Sequence, residues 1–525
     1  MSLLDHTLAI DFGTSNSSVY VMKNGCELLC DQMGTYLFPS FVEYTKKGVI
    51  TGHAAKRNLG KPNKYVVACV KRLIGLTNEE YNQMKEKRVF GCEVVEGDDG
   101  YPRFVVSSDK KLVSCIEVAS ELFKEMKSRA EIYCEPRQFD SIYLTVPADY
   151  KPKQCDGICK AAEMAGFKVL KMIAEPSAAA LSYLLDCNDS IGPKERILVY
   201  DFGGGTFDAS LLTYNSSKGI TIIGEEGNQR LGGNDVDMAI LDYVTKTAEK
   251  IHNDVLIPPS PRAFRKYNLL KSFCEDAKIV LFSAASTEVV LEEINDEFDP
   301  VVLLPSTLDH CIEDVVQKTI DCVSKVIQDN HLNPGNIRHV FLVGGSSQLK
   351  IIQKLLRNLL GENCNFPAID PQHCVSLGAM KLLLQDASNS NVNQNLVTSL
   401  SASYGIEINE NEVLILLRKG STAPLTSHCY TFQTTWDDQD YVSMWIYQCS
   451  KNIPIAKKNT CVKKEDCHPV YELSFALDKK ILGGCSYIDI EFSFDIGGVL
   501  TVFCYDHFHH HLLYNCSYNP IYGSY

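Results

Sequence analysis

Two stretches of this chain repeat one another. LAIDFGTSNSSVYV begins at Leu8 and LVYDFGGGTFDASLL begins at Leu198. Each is an apolar strand that runs into Asp-Phe-Gly, turns, and resumes the alternation of a second strand. Two copies imply two similar lobes. Strand patterning on both sides of each turn predicts a β-hairpin, unlike a Walker loop, whose glycine-rich turn opens a helix and carries Gly-Lys-Ser/Thr.

Glycine-rich turns of this kind suit phosphate, because no Cβ blocks the approach of an oxygen to the backbone N–H groups. In the first hairpin these positions are Gly13, Thr14 and Ser15; in the second they are Gly203, Gly204, Gly205 and Thr206. Two such hairpins facing each other would clamp a polyphosphate. Asp11 and Asp201 end the paired strands, where carboxylates would hold Mg²⁺ through its water shell. A third turn, FLVGGSSQL from Phe341, contributes Gly344, Gly345 and Ser346 and precedes the amphipathic KIIQKLLRNLL. That order, strand then glycine turn then helix, suits a nucleoside pocket.

The remainder of the chain narrows the classes. Its 525 residues can bury more than one core, and 45% hydrophobic with 22% charged is an ordinary folding composition. A net charge of −14 argues against broad binding of a nucleic-acid backbone. The first residues lack a secretory pattern and no apolar run is long enough to span a bilayer, so a cytoplasmic protein with no transmembrane segment is expected. The 21 cysteines are scattered and read as reduced thiols. Cys461, Cys467 and His468 lie close together, but without a second half this cluster reads as structural rather than metal-binding.

Mixed strand and helix periodicity runs to about residue 385. The polar DASNSNVNQN, Asp386 to Asn395, reads as a helix end followed by a linker, placed over 386–400. Beyond it, VLILL, YTFQTTW, YVSMWIYQ, YELSFAL, YIDIEFSFD and VLTVFCY predict a β-sandwich over 401–506. The final stretch, 507–525, reads as a tail. Its His507, His509, His510 and His511 suit a metal or a titration near neutral pH, with an exposed low-complexity terminus the favoured reading.

AIDFGT, VKRLIG (Val70 to Gly75), TVPADY (Thr145 to Tyr150), AEPSAAALSY (Ala174 to Tyr183), VYDFGGGTFD, LGGNDVD (Leu231 to Asp237) and LVGGSS together resemble the heat shock protein 70 (DnaK-type) family, in its order and spacing. The resemblance continues through YGIEI and YIDIEFSFDIGGVL. It implies an actin-like, ribonuclease H-like duplicated α/β domain over 1–385 that binds ATP or ADP with Mg²⁺ and hydrolyses ATP. It makes Lys71 the residue that positions the attacking water and γ-phosphate, and Glu175 the carboxylate that orients that water. Asp11, Asp201 and Asp208 match the acidic residues around the metal and nucleophile. Thr14 and Thr206 match the phosphate-loop threonines, Gly232 and Gly233 a further nucleotide loop, and Glu275 and Lys278 the ribose contacts. The implied partners are a polypeptide client and a J-domain co-chaperone.

Several positions depart from the pattern. Two arginines that stack the adenine are matched by Ile279 and Gln348, and an arginine that relays the position of Pro147 is matched by Cys155. Against the family pattern the interdomain linker is expected to be reduced to about Leu396 and Val397, and no helical lid is expected after the β-domain. With KRLIGLTNEEYNQM, these features resemble most the lidless heat-shock homologues of closterovirus-group plant viruses, which implies a coat-protein-like assembly partner, virion assembly and cell-to-cell movement. A ribosome-associated cellular relative and a docking protein with a non-catalytic nucleotide site are the alternatives.

Overall fold

The computed structural model describes residues 2–61, 63–84, 90–147, 150, 152–184, 196–215, 219–252, 261–294, 298–388, 403–418, 421, 425–434, 439–449, 460–477, 487–494 and 500–518. The linker expected over 386–400 lies outside them from residue 389 onward, as does the region around Leu396 and Val397.

Both predicted hairpins form, and they occupy equivalent places in two sheets. Thr7–Asp11 pairs antiparallel with Asn16–Met22 and parallel with Ser141–Val146, which pairs in turn with Lys168–Ala174. In the second sheet Arg196–Phe202 pairs antiparallel with Phe207–Asn215 and parallel with Ile337–Val343. The duplication in sequence is thus a duplication in topology. Each lead strand is buried on both faces, which is why it reads as a nearly unbroken apolar run. Leu8, Ile10 and Phe12 pack with the helices Cys115–Tyr133 and Pro152–Met164, whereas Leu198, Tyr200 and Phe202 pack with Gly233–His252, Pro261–Val280 and Pro305–Asp329.

The opposite faces, Ala9 of the first lobe and Ile197 and Val199 of the second, share one core with the helices Glu175–Leu184 and Cys374–Ala387. These two helices cross with their backbones nearly touching: a Cβ at Gly378 would lie 1.8 Å from the Ala178 carbonyl oxygen. Only glycine permits that approach. Helix starts follow local rules as well. The Ser114 hydroxyl accepts from the Glu117 N–H at 3.1 Å, while the Glu117 carboxylate accepts from the Ser114 N–H at 2.7 Å, a reciprocal cap that opens Cys115–Tyr133.

The helix expected to stop near residue 385 runs to Ala387. Asp386, placed at the start of the linker, is an anchored helix residue: it accepts from Tyr143 Oη at 2.6 Å and pairs with Lys171 at 2.7 Å.

Each of the six apolar runs read beyond the linker contributes residues to a described strand. Those described make two antiparallel sheets, one with Ser403–Asn409, Glu412–Leu417, Tyr441–Cys449, Cys461–Lys463 and His468–Ala476. The other holds Leu425–Thr426, Tyr430–Gln433, Tyr487–Phe494, Leu500–Asp506 and Leu512–Tyr518. Tyr404, Ile446 and Leu473 of the first share a hydrophobic cluster with Ile490, Phe492 and Val502 of the second. The stretch expected to be a tail is corrected here. Leu512–Tyr518 is a strand paired in register with Leu500–Asp506, and Tyr514 stacks on Phe475 at 5.2 Å. Cys467 is buried, its thiol directed at the Lys463 carbonyl at 3.6 Å.

Candidate active site

A cleft opens where the turns of the two hairpins meet. It is lined by Gly13, Thr14 and Ser15 from the first, by Gly203, Gly204 and Thr206 from the second, and by Gly344, Gly345 and Ser346 from the third turn. The two phosphate-type turns are in contact: a Cβ on Gly204 would lie 2.1 Å from the Ser15 Oγ. Glycine at this place leaves a backbone-lined cradle between the hairpins, which fits a polyphosphate.

The floor of the cleft is acidic. Asp11 and Asp201 stand at the ends of the duplicated strands, and Glu175 begins the helix Glu175–Leu184. Lys71 sits in a single 3₁₀ turn, Val70–Arg72, which is entered through Cys69 in the left-handed region (φ 53°). Val70, Leu73 and Ile74 are buried around it and anchor the turn. The Lys71 ammonium lies 2.8 Å from Glu175 Oε1, and both residues are buried. Thr145 Oγ1 donates to Asp11 Oδ1 at 2.9 Å.

Burial and the neighbouring carboxylate of Glu175 push the Asp11 carboxyl up to about 6, against the opposing pull of Lys71 and Thr145. Burial, Glu175 and Asp11 push Asp201 upward too. Burial alone would lower Lys71, but Glu175, Asp11 and Asp201 outweigh it and hold the ammonium charged. Three carboxyl groups thus share one ammonium at the floor of the cleft. Such a donor set, all oxygen and short of positive charge, fits Mg²⁺.

The upper wall is closed by ion pairs. Lys56 meets Glu275 at 2.9 Å across the mouth, and Lys278 meets Asp237 at 2.6 Å inside it. Glu275 and Lys278, which the family resemblance makes ribose contacts, both line the cleft, and each holds a protein partner. Ile279 and Phe282 supply apolar wall, with Ile279 half exposed. Gln348, expected opposite Ile279, is not among the lining residues; its amide is directed at the Gly345 carbonyl.

Three further expected residues stand behind the lining. Gly205 and Gly232 pack backbone to backbone, where a Cβ on Gly232 would approach Gly205 to 2.5 Å. Asp208 is buried directly across the strand pair from Asp201. The sequence reading missed Asn234, Asp237, Phe282 and Gln372 in the lining and Lys56 at the mouth. Asn234 and Asp237 were visible within LGGNDVD as polar residues one helical turn apart; nothing in the sequence marks Lys56.

A family model described as Hsp70 protein matches residues 7–511. The chain belongs to the Hsp70 family. As an Hsp70 it is an ATP-binding, chaperone-like protein of an ATPase family that uses ATP or ADP with Mg²⁺ and binds polypeptide clients. The paired hairpins and their acidic floor line the cleft of this Hsp70. Among the described residues no helix is long and apolar enough to cross a membrane.

Proposed function

We propose that this chain hydrolyses ATP in the cleft between its two hairpins and uses the cycle to act on a polypeptide held by its β-sandwich domain. The observation that carries this is the buried Lys71–Glu175 pair set beside Asp11 and Asp201 at the ends of the duplicated strands. The backbone N–H groups of the two turns, with Thr14, Ser15 and Thr206, bind the phosphates. Lys71 positions the attacking water against the γ-phosphate, and Glu175 orients that water through its second oxygen. Asp201, with Asp208 buried across from it, fixes the acidic side of the site. Mg²⁺, when held by Asp11 and Asp201, would neutralise phosphate charge during transfer. Phosphoryl transfer asks mainly for positioning and charge neutralisation, which these residues supply.

The role of this cycle is assembly in a host cytoplasm: a closterovirus-type homologue whose client is a coat-protein-like subunit, acting in virion assembly and cell-to-cell movement. Support comes from KRLIGLTNEEYNQM, the intact GGGTFD and the apolar Ile279 in the base wall. Ile279 also favours a second reading, a docking protein whose nucleotide only stabilises the fold. ATP turnover by the full chain, with and without an extended polypeptide, separates the two. Turnover that rises with polypeptide supports the motor; binding of ATP with no turnover in either case leaves the docking protein.

A further inference from the structure

The last hairpin closes on HFHHH, residues 507–511. The turn is tightly fixed: the Asp506 N–H donates to the His511 carbonyl at 3.0 Å and the His510 N–H donates to the Asp506 carbonyl at 2.9 Å. His510 takes the left-handed backbone conformation (φ 52°) that lets the chain reverse. Asp506 is 1% exposed, and its Oδ1 accepts from the N–H groups of Phe508 at 3.1 Å and His509 at 2.6 Å. The His509 ring comes to the same oxygen, Nδ1 to Oδ1 2.8 Å. His511 closes the group, so that one ligand atom from each of Asp506, His509 and His511 lies within 4.8 Å of the others.

We propose that Asp506, His509 and His511 form a binding site for a divalent transition ion of the zinc class. Two imidazoles and a carboxylate suit zinc and its neighbours and disfavour Mg²⁺ or Ca²⁺, which take oxygen. Bonds of about 2.0–2.2 Å in tetrahedral geometry set ligand atoms roughly 3.3 Å apart. The 2.8 Å pair must open slightly, and any pair near the 4.8 Å limit must contract. Both histidines are exposed and their rings are free to make that adjustment, while the buried carboxylate stays fixed by the main chain. His507 is set apart, bonded through Nδ1 to Asp489 at 2.8 Å on the neighbouring strand. Three protein ligands leave a coordination position open. The site is on the β-domain, and none of its three residues lines the cleft between the hairpins.

Zn²⁺ titrated by calorimetry into the full chain, in excess Mg²⁺, tests this. Wild type binds one equivalent, and His509→Ala/His511→Ala weakens that event by more than the about 10- to 100-fold that loss of an outer partner costs. His510→Asn, which tolerates the turn conformation, leaves it unchanged. X-ray absorption at the zinc edge reads nitrogen and oxygen neighbours. No binding by wild type, the same affinity in the double variant, or sulfur in the zinc shell would each overturn the proposal. Circular dichroism and unchanged nucleotide binding confirm that the double variant is folded.

Discussion

The ammonium of Lys71 lies 2.8 Å from the carboxylate of Glu175, a residue 104 positions away. Lys71 reaches this place on one 3₁₀ turn held by the core of the first lobe, and Glu175 on the first residue of a helix packed in the core that the two lobes share. Around them Asp11 and Asp201 add two more negative groups. A single positive charge cannot satisfy three carboxylates, so the site favours both Mg²⁺ and the positioning of an anion's reactive end.

Lys56 and Glu275 bridge the mouth at 2.9 Å, with side chains 31% and 26% exposed. Partial exposure limits such a pair to about 0–1 kcal/mol. Lys56→Ala should leave folding stability nearly unchanged and speed nucleotide release up to about fivefold, the kinetic equivalent of 1 kcal/mol. Stopped-flow release of a fluorescent ADP measures it; an unchanged rate would show that the bridge does not gate the cleft.

Lys278 and Asp237 behave differently because both are buried, at 6% and 3% exposure. Lys278→Met leaves a carboxylate unpaired in the interior and should cost about 3–5 kcal/mol in urea unfolding. Lys278→Met/Asp237→Leu should recover most of that loss. A double variant no better than the single one would contradict the pairing argument.

How much of this the sequence alone shows depends on the range of each interaction. The hairpins were readable because strand alternation and glycine turns are local signals, and so was the strand, turn and helix from Phe341. The six apolar runs after the linker marked strands for the same reason. Lys71 and Glu175 were placed by family resemblance, since no local rule joins residues 104 apart. Lys56–Glu275 and Lys278–Asp237 depend on how helices of different segments approach, which periodicity does not encode. Leu512–Tyr518 reads as a tail because its tyrosines and asparagine mask a weak alternation; pairing with Leu500–Asp506 makes it a strand.

Ile279 lines the cleft at the position where the family resemblance implies a stacking guanidinium. Ile279→Arg should tighten ATP by about 1 kcal/mol, roughly fivefold in Kd, if the purine lies against this residue. Calorimetry reads the change. Equal affinity in both proteins would place the base elsewhere.

Asp370 accepts from His373 Nδ1 at 2.7 Å beside the start of the helix Cys374–Ala387. That bond, followed by the N–H of Gln372, holds its carboxyl below the ordinary 3.8 in the folded protein despite partial burial. A depressed pKa contributes stability above the unfolded value and loses it as pH falls through the folded one. Wild type should therefore exceed Asp370→Asn in stability at about pH 6, with the gap closing toward about pH 3. Urea midpoints at the two pH values check this; a gap independent of pH would mean that ionisation is not its source.

The central claim is that the residues between the duplicated hairpins form a hydrolytic ATP site. Single-turnover ATP hydrolysis by wild type and Lys71→Ala, with ATP affinity measured in parallel, tests it most directly. The account predicts hydrolysis slower by at least about 10²-fold in the variant, with ATP still bound, because a group acting on the transferring phosphoryl has been removed. Equal rates in the two proteins, or no hydrolysis by wild type when ATP is bound, would contradict it.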